Sequence, residues 1–315
     1  MNILVTAIGS FSAMCVINSL KAKGHKVIGC DIYPGEWHAE TSRCDGFYQA
    51  PFATKGKEYI KFLLDTAKSE NINMIIPLTD LEIDVLNRSR VCFDDKGVIL
   101  AMPSKKTLEI ARDKYKLFLQ FEKDCEIPTV PTFKVGTDII PNDILPCIAK
   151  PYNGRSSEGL KKIYSSEELV SVINNTQYII QHLIEGPVYT VDYVRNSHSG
   201  NSFSVPRQEL LRTKNGAGTT VYIFEDNDLQ KMVDHIGKQL DINGCVNMEF
   251  IKNNELYYLI DINPRFSAGV AFSSVAGYDM VNSHIACHTN EEICPSIKID
   301  EQIITKTYIE KITSK

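Results

Sequence analysis

The sequence predicts an α/β protein that opens on a parallel sheet and closes in antiparallel hairpins. Three stretches carry that prediction: a strand-helix-strand run at 2–34, a Gly/Ser-rich loop directly after Lys150, and two alternating apolar-polar runs at 246–265. With 315 residues, 43% of them hydrophobic, the chain can bury a sizeable core divided among one large or two to three small domains. A formal net charge of -5 argues against a nucleic-acid surface. The nine cysteines form no CxxC pair, and neither a signal peptide nor a long apolar span precedes them. Reduced thiols in a cytoplasmic protein that does not cross a membrane are therefore expected.

The opening run reads NILVTA, a helix at 11–23, then KVIGCDIYP, as in a Rossmann-like domain. The first turn carries only Gly9, so GxGxxG is missing and a pyrophosphate has no close backbone approach. Gly9 and Asp31 are read as turn and strand-end residues, and a dinucleotide cofactor is not expected. A helix at 57–69 leads to the strand NMIIPL, after which Thr79 or Asp80 can cap the next helix. Glu82 is a minor candidate for holding an amine.

After Pro103 the pattern becomes a charged helix with Leu108, Ala111, Tyr115 and Phe118 on one face, so a domain boundary belongs near 103. Strand CIAK then delivers Lys150, followed by Gly154, Ser156, Ser157 and Gly159. Backbone N–H groups and hydroxyls of such a loop can close over phosphates, although Gly/Ser loops are also common turns and the P-loop order is absent. A strand at 178–181 passes through a short linker into a second strand at 188–195, as a hinge between two lobes would. Arg207, Arg212 and Lys214 form a basic cluster beside a glycine-rich turn, readable as an anion site or as a solvated hairpin. A packing helix at 228–240, a helix at 280–288 and a final strand at 305–309 complete the chain.

The double run VNMEFIKNNELYYLIDINPR is a β-hairpin that brings Glu249, Asp261 and Asn263 onto neighbouring strands. Hard divalent cations take such oxygen ligands together with substrate phosphates. Asp261 and Asn263 share a face, but Glu249 joins them only if the loop is odd in length or a bulge intervenes, and a two-residue Asn253-Asn254 turn would scatter the set. Pro264 ends the ladder, leaving Arg265 where its fork could meet a phosphoryl or acyl-phosphate oxygen.

In this order, a helix lysine, a lysine before a Gly/Ser loop, an interlobe linker and a hairpin ending in Asn-Pro-Arg, the chain resembles the ATP-grasp superfamily over nearly its whole length. It is most similar to the carbamoyl phosphate synthetase large subunit and to carboxylate-amine ligases. The resemblance implies a Rossmann-like pre-ATP-grasp domain (1–103) and a two-lobed α+β ATP-grasp module, with a small lobe at 104–183 and a large lobe at 184–315. It implies ATP and Mg²⁺, with Mn²⁺ as a substitute, and small carboxylate and amine substrates; such enzymes often form homodimers. Lys114 and Lys150 would contact ATP phosphates under the loop of Gly154, Ser156 and Ser157. Gln181 would meet the adenine amine, with Leu183 and Ile184 contributing backbone groups. Glu249, Asp261 and Asn263 would hold the metal, Arg265 the transferred phosphoryl group, and Arg207 the region of the γ-phosphate and acceptor carboxylate. Val188 stands where the family commonly has a ribose-binding acid, and Asp261 where Glu is more frequent. The activity implied is activation of a carboxylate as an acyl phosphate for capture by an amine. A carboxylase, a carboxylate kinase or a nucleotide-binding regulator without turnover are the alternatives.

Overall fold

The computed structural model describes residues 1–155 and 158–314. Among the described residues the chain builds three sheets. The first is parallel, in the order β3-β2-β1-β4-β5, from β1 (Asn2–Val5), β2 (Lys26–Asp31), β3 (Gly46–Gln49), β4 (Met74–Ile76) and β5 (Ile99–Leu100). Helices α1 (Ala13–Ala22), α2 (Lys57–Glu70), α3 (Asp80–Asn87) and α4 (Arg90–Asp94) follow its strands. Its short strands are buried on both faces, the continuous apolar pattern that a helix-covered parallel sheet requires. Asp31 at the end of β2 accepts from the Gly9 amide at 3.0 Å, which ties the first loop to that strand end.

The single charged helix expected after Pro103 is two helices, α5 (Lys105–Ala111) and α6 (Lys114–Phe121). Asp113 breaks the run because its carboxylate accepts from the Tyr115 and Lys116 amides, an N-cap that competes with helix continuation. Restarting there buries Leu117 and Phe121 instead of Tyr115 and Phe118, and puts Lys114 at the first position of α6.

A four-stranded antiparallel sheet follows, ordered β6-β9-β7-β8, from β6 (Thr132–Lys134), β7 (Cys147–Pro151), β8 (Lys161–Ile163) and β9 (Tyr178–His182), with α7 (Ser166–Val170) before β9. Cys147, Ala149, Ile163 and Ile180 turn one face into an apolar cluster. The pairing of Ile148 with Gln181 and of Lys150 with Ile179 leaves Lys150 and Gln181 together on the other face.

The third sheet is six-stranded and antiparallel, ordered β14-β13-β10-β11-β12-β15. Its strands are β10 (Val188–Arg195), β11 (Ser202–Arg212), β12 (Gly218–Ile223), β13 (Gly244–Asn253), β14 (Leu256–Asn263) and β15 (Gln302–Thr305). The last strand thus ends at Thr305, where the sequence suggested that it begins. Helices α8 (Asn227–Gln239), α9 (Val270–Val275) and α10 (Met280–Thr289) pack around it. Val191, Tyr193, Val246, Met248, Phe250 and Ile262 bury one face with α8. Residues of the parallel sheet and of this sheet, Val5 and Val205 among them, share another core cluster with α9 and α10. That shared core holds the end of β14 close to the start of α3.

Candidate functional site

Strand alternation sets the site. Asp261 pairs with Glu249, Glu249 with Thr190, and Thr190 with Arg207, so one row across four strands carries two carboxylates and an arginine on the face opposite the apolar cluster that packs with α8. One pairing step along, Asn263, Asn247 and Asp192 extend the polar face. The hairpin turn is a two-residue one, Asn254 and Glu255, both at positive φ (46° and 66°), between paired Asn253 and Leu256. Continued regularly, it would put Asp261 on the core face. A bulge at Ile260 intervenes, since Phe250 pairs with Leu259 while Glu249 pairs with Asp261. The extra residue reverses the alternation and gathers the set.

Within it, the Asn263 amide donates to Glu249 at 3.1 Å, and Arg212 reaches the other Glu249 oxygen at 3.4 Å. Burial, and then the nearby Asp261 carboxylate, push the Glu249 pKa up against Arg212 and Lys114. A cation is the natural relief for two such carboxylates. Among the described residues no group of three or more His, Cys, Asp or Glu side chains could hold a metal. The pair with its amides therefore suits an ion whose other ligands are phosphate oxygens or water.

The two lysines come from α6 and from β7 of the four-stranded sheet. Lys114 at the start of α6 lies 2.9 Å from Asp261 and donates to the Gly154 carbonyl at 3.1 Å, tying the glycine loop to the hairpin. Lys150 has its pKa brought down to about 8 by burial and by Lys114, against the pull of Asp261 and Glu249. Gln181, on the face of Lys150, donates to the Thr132 hydroxyl at 2.7 Å and is buried. The Leu183 amide donates to the Pro146 carbonyl at 2.9 Å, which leaves its carbonyl rather than its N–H for a ligand. Ile184 lies in the linker before β10, and Val188 on the site face of β10. Ser156 and Ser157 lie outside the described residues.

Two expected roles are altered by partners distant in sequence. The Arg265 fork grips Asp80 at the start of α3, at 3.1 and 2.9 Å, and its third nitrogen donates to the Phe266 carbonyl. Burial would raise the Asp80 pKa, but Arg265 and Arg112 hold it below the usual carboxylate range. Arg207 is not on a solvated hairpin: only 1% of it is exposed, and it donates to Glu209, Asp192 and Ser267 at 3.1, 2.8 and 3.2 Å. Glu82 accepts from Tyr59 and from the Thr79 amide and hydroxyl, so its oxygens serve the cap of α3 rather than a free amine site.

Sequence reasoning missed Asn247, whose parity with Glu249 could have revealed it, and Asp192, for which no local signal exists; of the two residues it offered as the cap of α3, Thr79 takes that place and Asp80 meets Arg265 instead. It missed as well a cavity of about 570 Å³ at the ends of the parallel strands, lined by Phe11, Asp31, Tyr59 and Glu82. This cavity shares Phe11, Arg265 and Ala268 with a second one of about 260 Å³ that contains Glu249, Asp261 and Asn263.

Residues 111–269 match the family model described as an ATP-grasp domain, and residues 3–101 that described as a PylC-like, N-terminal domain. The carbamoyl phosphate synthase large chain of Clostridium acetobutylicum is 22% identical over 220 residues, covering 62% of this chain but 20% of that protein. The chain thus spans about a fifth of the length of this curated relative. Among solved structures, the biotin carboxylase domain of Hydrogenobacter thermophilus 2-oxoglutarate carboxylase, in complex with magnesium ADP and bicarbonate, superposes with a TM-score of 0.77 at 18% identity, covering 94% of this chain and 71% of that one. N5-carboxyaminoimidazole synthetase from Staphylococcus aureus, complexed with ADP, gives 0.73 at 14% identity, with 97% and 82% covered. At these identities the two solved structures share the fold.

Proposed function

The chain belongs to the ATP-grasp family, with a PylC-like N-terminal domain, and from that premise we propose an ADP-forming ligase that activates a small carboxylate and joins it to an amine. The observation that carries the reading is the Lys114 ammonium bridging Asp261 and the Gly154 carbonyl, beside Glu249 and Asn263 and near Lys150. We take residues 1–103, 104–183 and 184–315 as the N-terminal domain, small lobe and large lobe, with ATP held between the lobes. Gln181, Leu183 and Ile184 would line the adenine end, and the loop of Gly154, Ser156 and Ser157 the phosphate end. Glu249, Asp261 and Asn263 would hold Mg²⁺ or Mn²⁺, which supplies charge neutralisation for the phosphates.

A substrate carboxylate oxygen forms a bond to the γ-phosphorus, and the bond to the β-γ bridging oxygen breaks as ADP leaves with the electron pair. Lys114 and Lys150 offset the negative charge, and Arg265, once its fork leaves Asp80, meets the equatorial oxygens in flight. The amine nitrogen then attacks the acyl carbon, inorganic phosphate departs, and the amine gives up its proton. Arg207, in the same row as Glu249 and Asp261, would border the γ-phosphate and acceptor carboxylate while its donors hold Asp192 and Glu209. A homodimer in the cytoplasm is the proposed setting; among the described residues no helix is long and apolar enough to cross a membrane.

The test is ADP release with hydroxylamine as a generic amine, across acetate, succinate, benzoate and the common amino acids. Hydroxamate formed together with ADP supports the ligase. ADP formed from bicarbonate, or at full rate without any amine, would replace it by a carboxylase or carboxylate kinase.

A further inference from the structure

Each arginine around the hairpin already holds a carboxylate. Arg265 holds Asp80, Arg212 reaches Glu249, and Arg207 lies between Asp192 and Glu209, while Lys114 is paired with Asp261. Lys150 stands on the other lobe, at the phosphate end. A reacting carboxylate still needs a cation near the hairpin, because an anion taken from water into a partly apolar cleft is costly unless it is paired.

Lys306 answers that need. It directly follows β15, whose pairing with β12 sets Thr305 opposite Thr220, and its amide donates to the Thr219 carbonyl at 2.8 Å. Its ammonium donates to the Ala268 carbonyl at 2.7 Å and lies over the rings of Phe11 (5.3 Å) and Phe272 (5.2 Å). Among the described residues it forms no ion pair with Asp or Glu. Phe11 and Ala268, which the ammonium touches, are two of the three residues common to both cavities, so Lys306 lies behind the wall they share without itself lining either. Phe11 is 55% exposed there, an aromatic surface open to a ligand. Lys306 also lies outside both matched segments, 3–101 and 111–269.

We propose that Lys306 is the residue that binds the carboxylate of the acid substrate, beside the Phe11 and Ala268 wall that the two cavities share. This rests on the ligase reading for its chemistry, but the site itself is a binding site for a carboxylate anion. One or two of the ammonium protons turn to the substrate oxygens while the Ala268 carbonyl keeps the third, and the acid's body lies toward the larger cavity. Burial, and then Arg207, lower the Lys306 pKa against the pull of Glu209 and Asp192.

A direct test needs no turnover. Reductive methylation of the intact protein, followed residue by residue by mass spectrometry, is run in sodium propionate and in sodium chloride of equal ionic strength. The exposed Lys298 serves as the internal control. Propionate should slow labelling of Lys306 at least twofold and leave Lys298 unchanged; equal rates in the two salts overturn the proposal. The second arm uses Lys306→Gln and Lys306→Arg with the acid that gives most hydroxamate. Losing a charge-assisted contact should raise KM for that acid roughly tenfold or more in the Gln variant. The Arg variant should recover part of it, with ATP affinity and melting temperature held. A Gln variant with unchanged KM, or one whose only defect is early melting, would make Lys306 a tether for β15 and end the proposal. If propionate protects Lys306 but no acid yields hydroxamate, the carboxylate site stands and the ligase reading fails.

Discussion

Lys150→Met should make the nucleotide-free protein more stable and at the same time unable to hold ATP. Lys150 has its pKa lowered from 10.5 to about 8 by burial and by the Lys114 ammonium, so at pH 7 the folded chain keeps a charged group in surroundings that disfavour it. That fall corresponds to at most about 3 kcal/mol carried by the charged form. Methionine has nearly the same length and no charge, and should recover much of it. The pH dependence follows from linkage. The folded lysine releases its proton near 8 and the unfolded one near 10.5. Between those values the unfolded chain binds more protons, so wild-type stability rises with pH across that window. The advantage of the variant is therefore full below pH 8 and shrinks toward zero by 10.5. Urea denaturation at pH 7 and 10 measures it. ATP reverses the balance, because its phosphates favour the ammonium. Calorimetry of wild-type protein at pH 9, in buffers of different ionisation enthalpy, should show proton uptake on binding that disappears at pH 7. A variant less stable than wild type at pH 7, or one that binds ATP normally, would refute the placement of Lys150 as an unrelieved cation awaiting phosphate.

Glu249→Gln and Asp261→Asn should each abolish Mg²⁺-dependent ADP formation without lowering the melting temperature, because each removes one of two crowded carboxylates; near-normal turnover at limiting Mg²⁺ would exclude the cluster. Asp80→Asn, which strips the buried partner of Arg265 and Arg112, should cost about 3 kcal/mol in denaturant titration. Arg265→Lys should lower turnover on the order of a hundredfold with ATP affinity nearly unchanged. A double-mutant cycle with Asp80→Asn should then separate the ion pair's share of stability from the rate effect. Deleting Ile260 should remove the bulge and let Asp261 follow Leu259 directly, still opposite Glu249, so that Asp261 and Asn263 keep to the site face and the response to Mg²⁺ survives; loss of that response in a variant that folds would contradict the register.

Local chemistry determined much of this protein from sequence alone. Strand alternation, the run of oxygen donors, Pro264 as a ladder stop and the single glycine in the first turn are properties of neighbouring residues, so the α/β class, the absence of a dinucleotide fingerprint and the placing of Glu249, Asp261 and Asn263 on neighbouring strands were legible. Asp113 was legible in principle too, since its N-cap acts within three residues, yet a helical period that passes smoothly over it hides the break. Tertiary structure decided what depends on distant partners. The bulge at Ile260 reflects which faces of β13 and β14 are buried, a condition imposed by α8 and the core rather than by the turn. Arg265 meets Asp80 across 185 positions because one hydrophobic core joins the parallel sheet to the large antiparallel one. Lys306 reaches the Ala268 carbonyl only because β15 adds to the edge of β12. Burial of charge is a sum over all packed neighbours, and no window of sequence contains them.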